Sequence, residues 1–334
     1  LWFFYHVRAE FQKALELAES LLTLAQREQD SALQVQAHFA LGVDLFHLGE
    51  QARAQAHLDE GIALYDPQQH RSLAFRYGQD PGVTCRGYVR PLWVLGYPDQ
   101  SLARSREATA LAQELGHPFS LAFTLNWAAT VHQFRREVRA AQERAEALIA
   151  LSTEQGFALW IPFGTVLRGW ALAEQGRRGE GIAQMRQAMA AWQATGAEVD
   201  LPYFLALQAE ANAKGGQVED GLALLAEALV IAHKYNDVYW EPEVYRLKGE
   251  FLLQQAAGRD EEAETCFRQA LDVARRQQAK SLELRAAMSL GRLWQDQGKR
   301  GEAHQLLTEI YGWFTEGFDT AELKEAKALL EELS

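Results

Sequence analysis

The stretch FGTVLRGWALAEQGRRGEGIAQMRQA, Phe163–Ala188, decides the fold. Apolar residues at i, i+3, i+4 and i+7 run from Phe163 to Ala173 without a break at Gly169, which is the pattern of a helix and not of a loop. Gly176 then marks a turn, and Gly181, Met185 and Ala188 set the small, +4, +7 spacing of a second helix. Glycine suits a helix end because positive φ carries no steric cost there. Gly169 is different. A glycine inside a helix costs roughly 0.5–1 kcal/mol relative to alanine, so it must answer a packing need. Two helices whose backbones approach closely supply that need. The stretch predicts an antiparallel helical hairpin.

The same template recurs along the chain. Its small residues are Ala14, Ala54, Ser101, Ala141, Gly181, Gly221, Ala263 and Ala303, spaced by 40, 47, 40, 40, 40, 42 and 40 residues. Five residues earlier stand Gly49, Gly96, Gly176, Gly216, Gly258 and Gly298, with Arg136 the exception among the last seven units. Twelve residues earlier the preceding helix carries Gly42, Ala129, Gly169, Ala209 and Gly291, with Gly249 two positions further back and Val89 departing from the rule. One hairpin cannot bury its apolar stripe alone, but stacking on neighbours buries it. The expected fold is therefore all-α, an α-α superhelix of about eight hairpins with a period of about 40 residues. The array should span residues 1–319, with an insertion loop at 66–82 where the spacing stretches to 47. Residues 320–334 should form a capping helix with Thr320 as N-cap and Glu322, Glu325, Glu331 and Glu332 turned outward.

The order of small residue, turn glycine and a second small-apolar-small triplet resembles the tetratricopeptide (TPR) repeat, stretched from its common period of about 34 residues. Stretched repeats of this kind are similar to the sensor regions of bacterial signal-transduction ATPases. Four strings, YGQDPG (Tyr77–Gly82), LGYPDQ (Leu95–Gln100), LGHPF (Leu115–Phe119) and YGWFTEGFD (Tyr311–Asp319), resemble the C-terminal repeats of large bacterial proteins that join a class III nucleotide cyclase domain and an ATPase domain. The resemblance implies a regulatory module of a larger signalling protein. The chain opens inside an aromatic segment, Leu1–Tyr5, without an initiator Met, as expected of a piece of a longer protein.

Composition narrows the function classes. With 48% hydrophobic and 23% charged residues the chain reads as a soluble folded protein. Its net charge of −12 falls on both halves, so no broad cationic face is offered to a nucleic-acid backbone. Cys85 and Cys266 form no CxxC pair and read as buried reduced thiols, which points to the cytoplasm. No apolar run approaches the ~20 residues that span a bilayer, and Leu1–Tyr5 is too short an apolar stretch to be expected to act as a signal peptide.

Catalytic signatures are missing from the sequence. The nearest approach to a phosphate-binding loop, Gly298-Lys299-Arg300, lacks the hydroxyl residue and the upstream glycine. His38, His47 and His57 share a hairpin but no ligand spacing, and solvated or partly packed histidines are the expectation. No G-x-S-x-G elbow occurs. We therefore expect no catalysis, no cofactor and no metal.

A ligand should meet the inner helices, at positions three before and one after the small residue of the first helix. These are Arg86 and Arg90, Asn126 and Thr130, Val166 and Trp170, Ala206 and Glu210, Arg246 and Glu250, and Met288 and Arg292, with Tyr203 beside them. Charges of both signs with aromatic anchors suit a protein or peptide segment, which includes neighbouring domains of the same chain. A structural reading competes, in which Arg246 and Glu250 simply pair at i, i+4. The insertion, with Arg76, Tyr77 and Asp80, leads into Arg86 and Arg90 and marks a candidate binding edge. The alternative function is a small-molecule effector sensor that controls a linked ATPase or nucleotide cyclase.

Overall fold

The computed structural model describes residues 1–70, 73–255 and 258–334, except the side chains of residues 76 and 77. The described residues form helices and no strand. Hairpin one pairs α1 (Trp2–Val7) with α2 (Phe11–Arg27), and hairpin two pairs α3 (Ser31–His47) with α4 (Gln51–Leu64). Two short helices, α5 (Pro67–His70) and α6 (Leu73–Tyr77), fill the insertion. Hairpin three has a split inner helix, α7 (Pro81–Gly87) and α8 (Arg90–Val94), packed on α9 (Pro98–Leu115). Then come α10 (Pro118–Phe134) with α11 (Val138–Gln155), α12 (Trp160–Glu174) with α13 (Arg178–Ala194), and α14 (Leu201–Lys214) with α15 (Val218–Tyr235). The last two pairs are α16 (Glu241–Gln255) with α17 (Asp260–Arg276), and α18 (Lys280–Asp296) with α19 (Arg300–Tyr311). A final helix, α20 (Ala321–Leu333), packs on α18 and α19.

The repeat template translates directly into backbone geometry. All six template glycines end their helices with φ between +79° and +94°. Arg136 takes the same left-handed conformation at φ 61°, so the exception lies in the residue and not in the turn. A Cβ at Gly169 would stand 2.8 Å from the carbonyl oxygen of Gly181, and one at Gly249 would stand 2.5 Å from the Phe267 ring. The close approach inferred from sequence is thus real at these positions. Hairpin three departs because Pro91 has no N–H and its ring clashes with the carbonyl four residues earlier. The inner helix therefore breaks at Tyr88–Val89, where the small-residue rule also fails.

The superhelix is tight. The Val238 N–H donates to the His47 carbonyl oxygen, the Ser281 hydroxyl donates to that of Trp93, and the Glu198 N–H to that of Val7. The sequence separation across this seam is 190 residues at His47–Asp237 and 188 at Trp93–Ser281. One turn therefore takes between four and five hairpins. So tight a turn brings inner faces of successive hairpins together across the axis. Tyr88, Trp93, Trp127, Phe134, Tyr203, Tyr239 and Trp240 fill that space, all at most 6% exposed.

This filling corrects the expectation of an inner wall open along its whole length. Arg90, Asn126 and Thr130 are fully buried. His47 is buried as well, bonded to Asp237 at 2.8 Å. His38 and His57 face each other at 3.1 Å between ring nitrogens, and burial pushes both imidazoles below their ordinary pKa. Cys85 and Cys266 are buried free thiols. Glu322, expected to face outward, is buried against Arg285.

Candidate functional site

Along hairpins four to eight the inner helices enclose a cleft of about 250 Å³. Five successive inner helices supply its walls: Gln133 from α10, Trp170 and Glu174 from α12, Glu210 and Lys214 from α14, Glu243, Arg246 and Glu250 from α16, and Arg285, Met288 and Arg292 from α18. Arg136, just past α10, and Glu322 and Glu325 of α20 close one side. Packing of each inner helix by its small residue fixes which face reaches the axis. Positions three before and one after that residue therefore converge here from hairpins six to eight, and Trp170 joins them from hairpin five.

Most of the charge is paired. Glu243 lies between Arg246, at 2.7 Å, and Arg285, at 3.2 Å. Arg246 also reaches Glu250 at 2.5 Å, so the i, i+4 pair weighed from sequence is present. Arg285 continues to Glu322 and donates to the Phe134 carbonyl oxygen at 2.7 Å. Burial alone would raise the Glu243 carboxyl, but the two guanidiniums more than offset it and hold the group at about 2. Lys214 bridges Glu174 and Glu210, and Arg136 pairs with Glu325 at 2.9 Å.

Three groups in the lining are unsatisfied. Trp170 and Trp240 are 3% and 2% exposed, and the indole N–H of each has no acceptor among the described residues. Buried indole N–H groups ordinarily find a partner. Arg292 has no ion-pair or hydrogen-bond partner among the described residues. Of the three, the Arg292 guanidinium is the donor that the cleft offers to a carbonyl or carboxylate.

The other sequence-predicted positions go elsewhere. Arg86 is half-buried, lying over the Tyr65 ring and donating to the Gly82 carbonyl oxygen. Asp80 is buried, caps α7 by accepting from the Val83 N–H at 2.8 Å, and accepts from the Tyr65 hydroxyl. Burial pushes its pKa up. The side chains of Arg76 and Tyr77 lie outside the described residues. Tyr203 is buried and donates to Gln133 at 2.8 Å, under the cleft. Thr130 donates to the Asn126 carbonyl oxygen, and the Asn126 amide has no partner among the described residues.

Sequence reasoning did not single out Glu243, Arg285 or Trp240, and it turned Glu322 outward. A signal existed for two of them. Glu243 and Arg285 stand six residues before the small residue, as Tyr203 does, one helical turn below the inner positions considered. Among the described residues no group of three or more His, Cys, Asp or Glu side chains is placed to hold a metal ion, and no helix is long and apolar enough to cross a membrane.

No family model matches the chain. An uncharacterized protein of Rhizobium meliloti (strain 1021) is 22% identical over 295 residues, which cover 87% of this chain. The chain spans only 28% of that relative's length. A solved structure of a Rap protein complexed with competence and sporulation factor superposes with TM-score 0.64 at 10% identity, covering 99% of this chain and 94% of that one. The signal-transduction ATPase with a tetratricopeptide-repeat sensor from Pyrococcus horikoshii gives TM-score 0.51 at 12% identity, covering 99% of this chain and 48% of that one. The fold is that of a tetratricopeptide-type helical repeat region.

Proposed function

We propose that this repeat region is a non-catalytic interaction and regulatory module of a larger bacterial signalling protein, and that its C-terminal cleft receives an extended protein segment. The observation that carries the reading is Arg292, which lines the cleft with no ion-pair or hydrogen-bond partner among the described residues. A peptide supplies carboxylates and backbone carbonyls, the acceptors that Arg292 lacks. The lining also favours a peptide over an apolar effector. Small-molecule pockets are lined mostly by apolar side chains, whereas this cleft is walled by eleven charged ones. Fold likeness supports the reading, since one similar solved structure is a complex with competence and sporulation factor. The bound segment belongs to a partner or to a neighbouring domain of the same chain, held in a cytoplasmic protein. Nucleic acid is a poor occupant, because six carboxylates face five cations across the cleft.

An array of immobilised peptides tests the reading, probed with wild-type protein, Arg292→Glu and Trp170→Phe. Peptides that carry a single Asp or Glu among neutral residues should be retained by the wild type and lost with Arg292→Glu. Equal binding by all three proteins would place the interaction elsewhere.

A further inference from the structure

The charges of the concave cleft do not balance locally. Lys214 is shared by two carboxylates, Glu174 at 2.6 Å and Glu210 at 2.9 Å. Arg246 and Arg285 are shared by three, those of Glu243, Glu250 and Glu322. Arg136 and Glu325 cancel. Each of the first two sets thus holds one carboxylate more than it has cations, while Arg292 has no ion-pair partner among the described residues. We propose, resting on the reading of this cleft as a peptide site, that the segment it takes is dipolar: a basic side chain enters between Glu210 and Glu250, and an acidic side chain two residues along meets Arg292.

The repeat sets these three groups in a row. Glu210, Glu250 and Arg292 each directly follow the small residue of their inner helix, Ala209, Gly249 and Gly291. Helix α14 packs on α16 and α16 on α18, so equivalent positions reach the cleft from successive helices. The row is also open to a ligand. The Glu210 and Glu250 side chains are 27% and 32% exposed, and Arg292 is exposed, whereas Glu243 and Glu322 lie buried beneath their guanidiniums.

Spacing favours a length of chain over a small zwitterion. Packed helices stand about 8–10 Å apart at their axes, and less at side-chain tips that converge on a concave face. An extended segment presents every second side chain on one face, about 6.6 Å apart. A free amino acid carries both charges on one carbon and does not span that step. Single charges meet only part of the need. An acidic residue alone answers Arg292 and leaves both surplus carboxylates, and a basic residue alone leaves Arg292.

Fluorescence anisotropy on the full chain tests this with labelled, capped Gly/Ser peptides carrying Glu alone, Lys alone, or Lys and Glu two residues apart in either order. In at least one order the dipolar peptide should bind about fivefold tighter than Glu alone. Glu210→Gln with Glu250→Gln leaves Lys214, Arg246 and Arg285 one carboxylate each, in Glu174, Glu243 and Glu322. That double variant should keep its thermal midpoint near that of wild type and erase the lysine gain without weakening Glu alone. Arg292→Gln should weaken every Glu-bearing peptide and leave Lys alone no weaker. Were Glu alone to bind through Arg292 with no gain from lysine, the dipolar inference would fall and the peptide reading would stand. Binding of none of the peptides would overturn both, and a lysine gain that survives the double variant would overturn the inference.

Discussion

Arg90 Nη1 stands 2.6 Å from Asp200 Oδ1 although 110 residues separate them, and both side chains are almost wholly buried. The guanidinium also lies over the Trp127 and Phe46 rings, at 4.2 and 4.5 Å. Asp200 accepts from the Tyr239 hydroxyl at 2.8 Å, and its N–H donates to Asp237, which is bonded to His47. Residues from hairpins two, three and four thus meet the turns that lead into hairpins six and seven at one ionic cluster on the superhelix axis. A buried pair of this kind is strong evidence for register, because removing one partner leaves an uncompensated charge.

Replacing Arg90 by Met is therefore expected to cost about 3–5 kcal/mol, read from the urea midpoint, because the Asp200 carboxylate remains buried without its cation. The double change Arg90→Met with Asp200→Asn should recover a large part of that loss. Equal destabilisation by the single and double variants would show that lost packing, and not the stranded charge, sets the cost.

The hairpins were legible in sequence because their signals are local. A turn glycine and a small residue twelve positions from its partner act within one unit, and the 40-residue beat repeats them. Closure of the superhelix was not legible. It depends on the small rotation between successive hairpins, which no single residue encodes. That rotation decides that Arg90, Asn126 and Thr130 are core while Glu210 and Arg246, in equivalent positions three hairpins on, line a cleft. Trp93 and Trp240 read as ordinary apolar helix positions until the turn brings their rings to 6.3 Å.

Two glycines in equivalent sequence positions should respond oppositely to alanine. A Cβ at Gly169 meets the Gly181 carbonyl oxygen and Met185 Cγ at 2.8 Å, so backbone must shift. Gly169→Ala is expected to cost about 1–3 kcal/mol from overpacking. A Cβ at Gly291 meets only Leu329, at 3.7 Å. Gly291→Ala should be neutral or stabilise by about 0.5–1 kcal/mol through helix propensity. Thermal melts of the two variants check this, and equal shifts would refute the packing assigned to Gly169.

Acid should loosen the C-terminal hairpins through Glu243. Its folded pKa of about 2 lies below the ordinary value of 4.5. In that window the unfolded chain binds more protons, so stability rises with pH. The contribution, on the order of 3 kcal/mol, is fully present above about pH 4.5 and is lost as pH falls through about 2. Glu243→Gln should therefore differ most from wild type at pH 7, and the gap should narrow between pH 4.5 and 2. A gap independent of pH would mean that the carboxylate charge does not matter.

Glu316 caps a helix whose Asp99 N–H stands 217 residues before it. Its Oε1 accepts from the N–H groups of Asp99 and Gln100, at 2.9 and 3.0 Å, in the first turn of α9. That helix has Tyr97 at its N-cap and no side-chain cap of its own. Asp99 returns the contact by accepting from the Gly317 N–H at 2.8 Å. A carboxylate at a helix N-terminus is stabilised both by the unpaired N–H groups and by the helix dipole. Glu316→Ala should cost about 0.5–2 kcal/mol, and Glu316→Gln less, because the amide oxygen still accepts but carries no charge. Hydrogen exchange localises the effect. The amides of Asp99 and Gln100 should lose protection in Glu316→Ala while those at the start of α11 keep theirs. Unchanged protection at Asp99 and Gln100 would show that the two turns of the superhelix are held together without this cap.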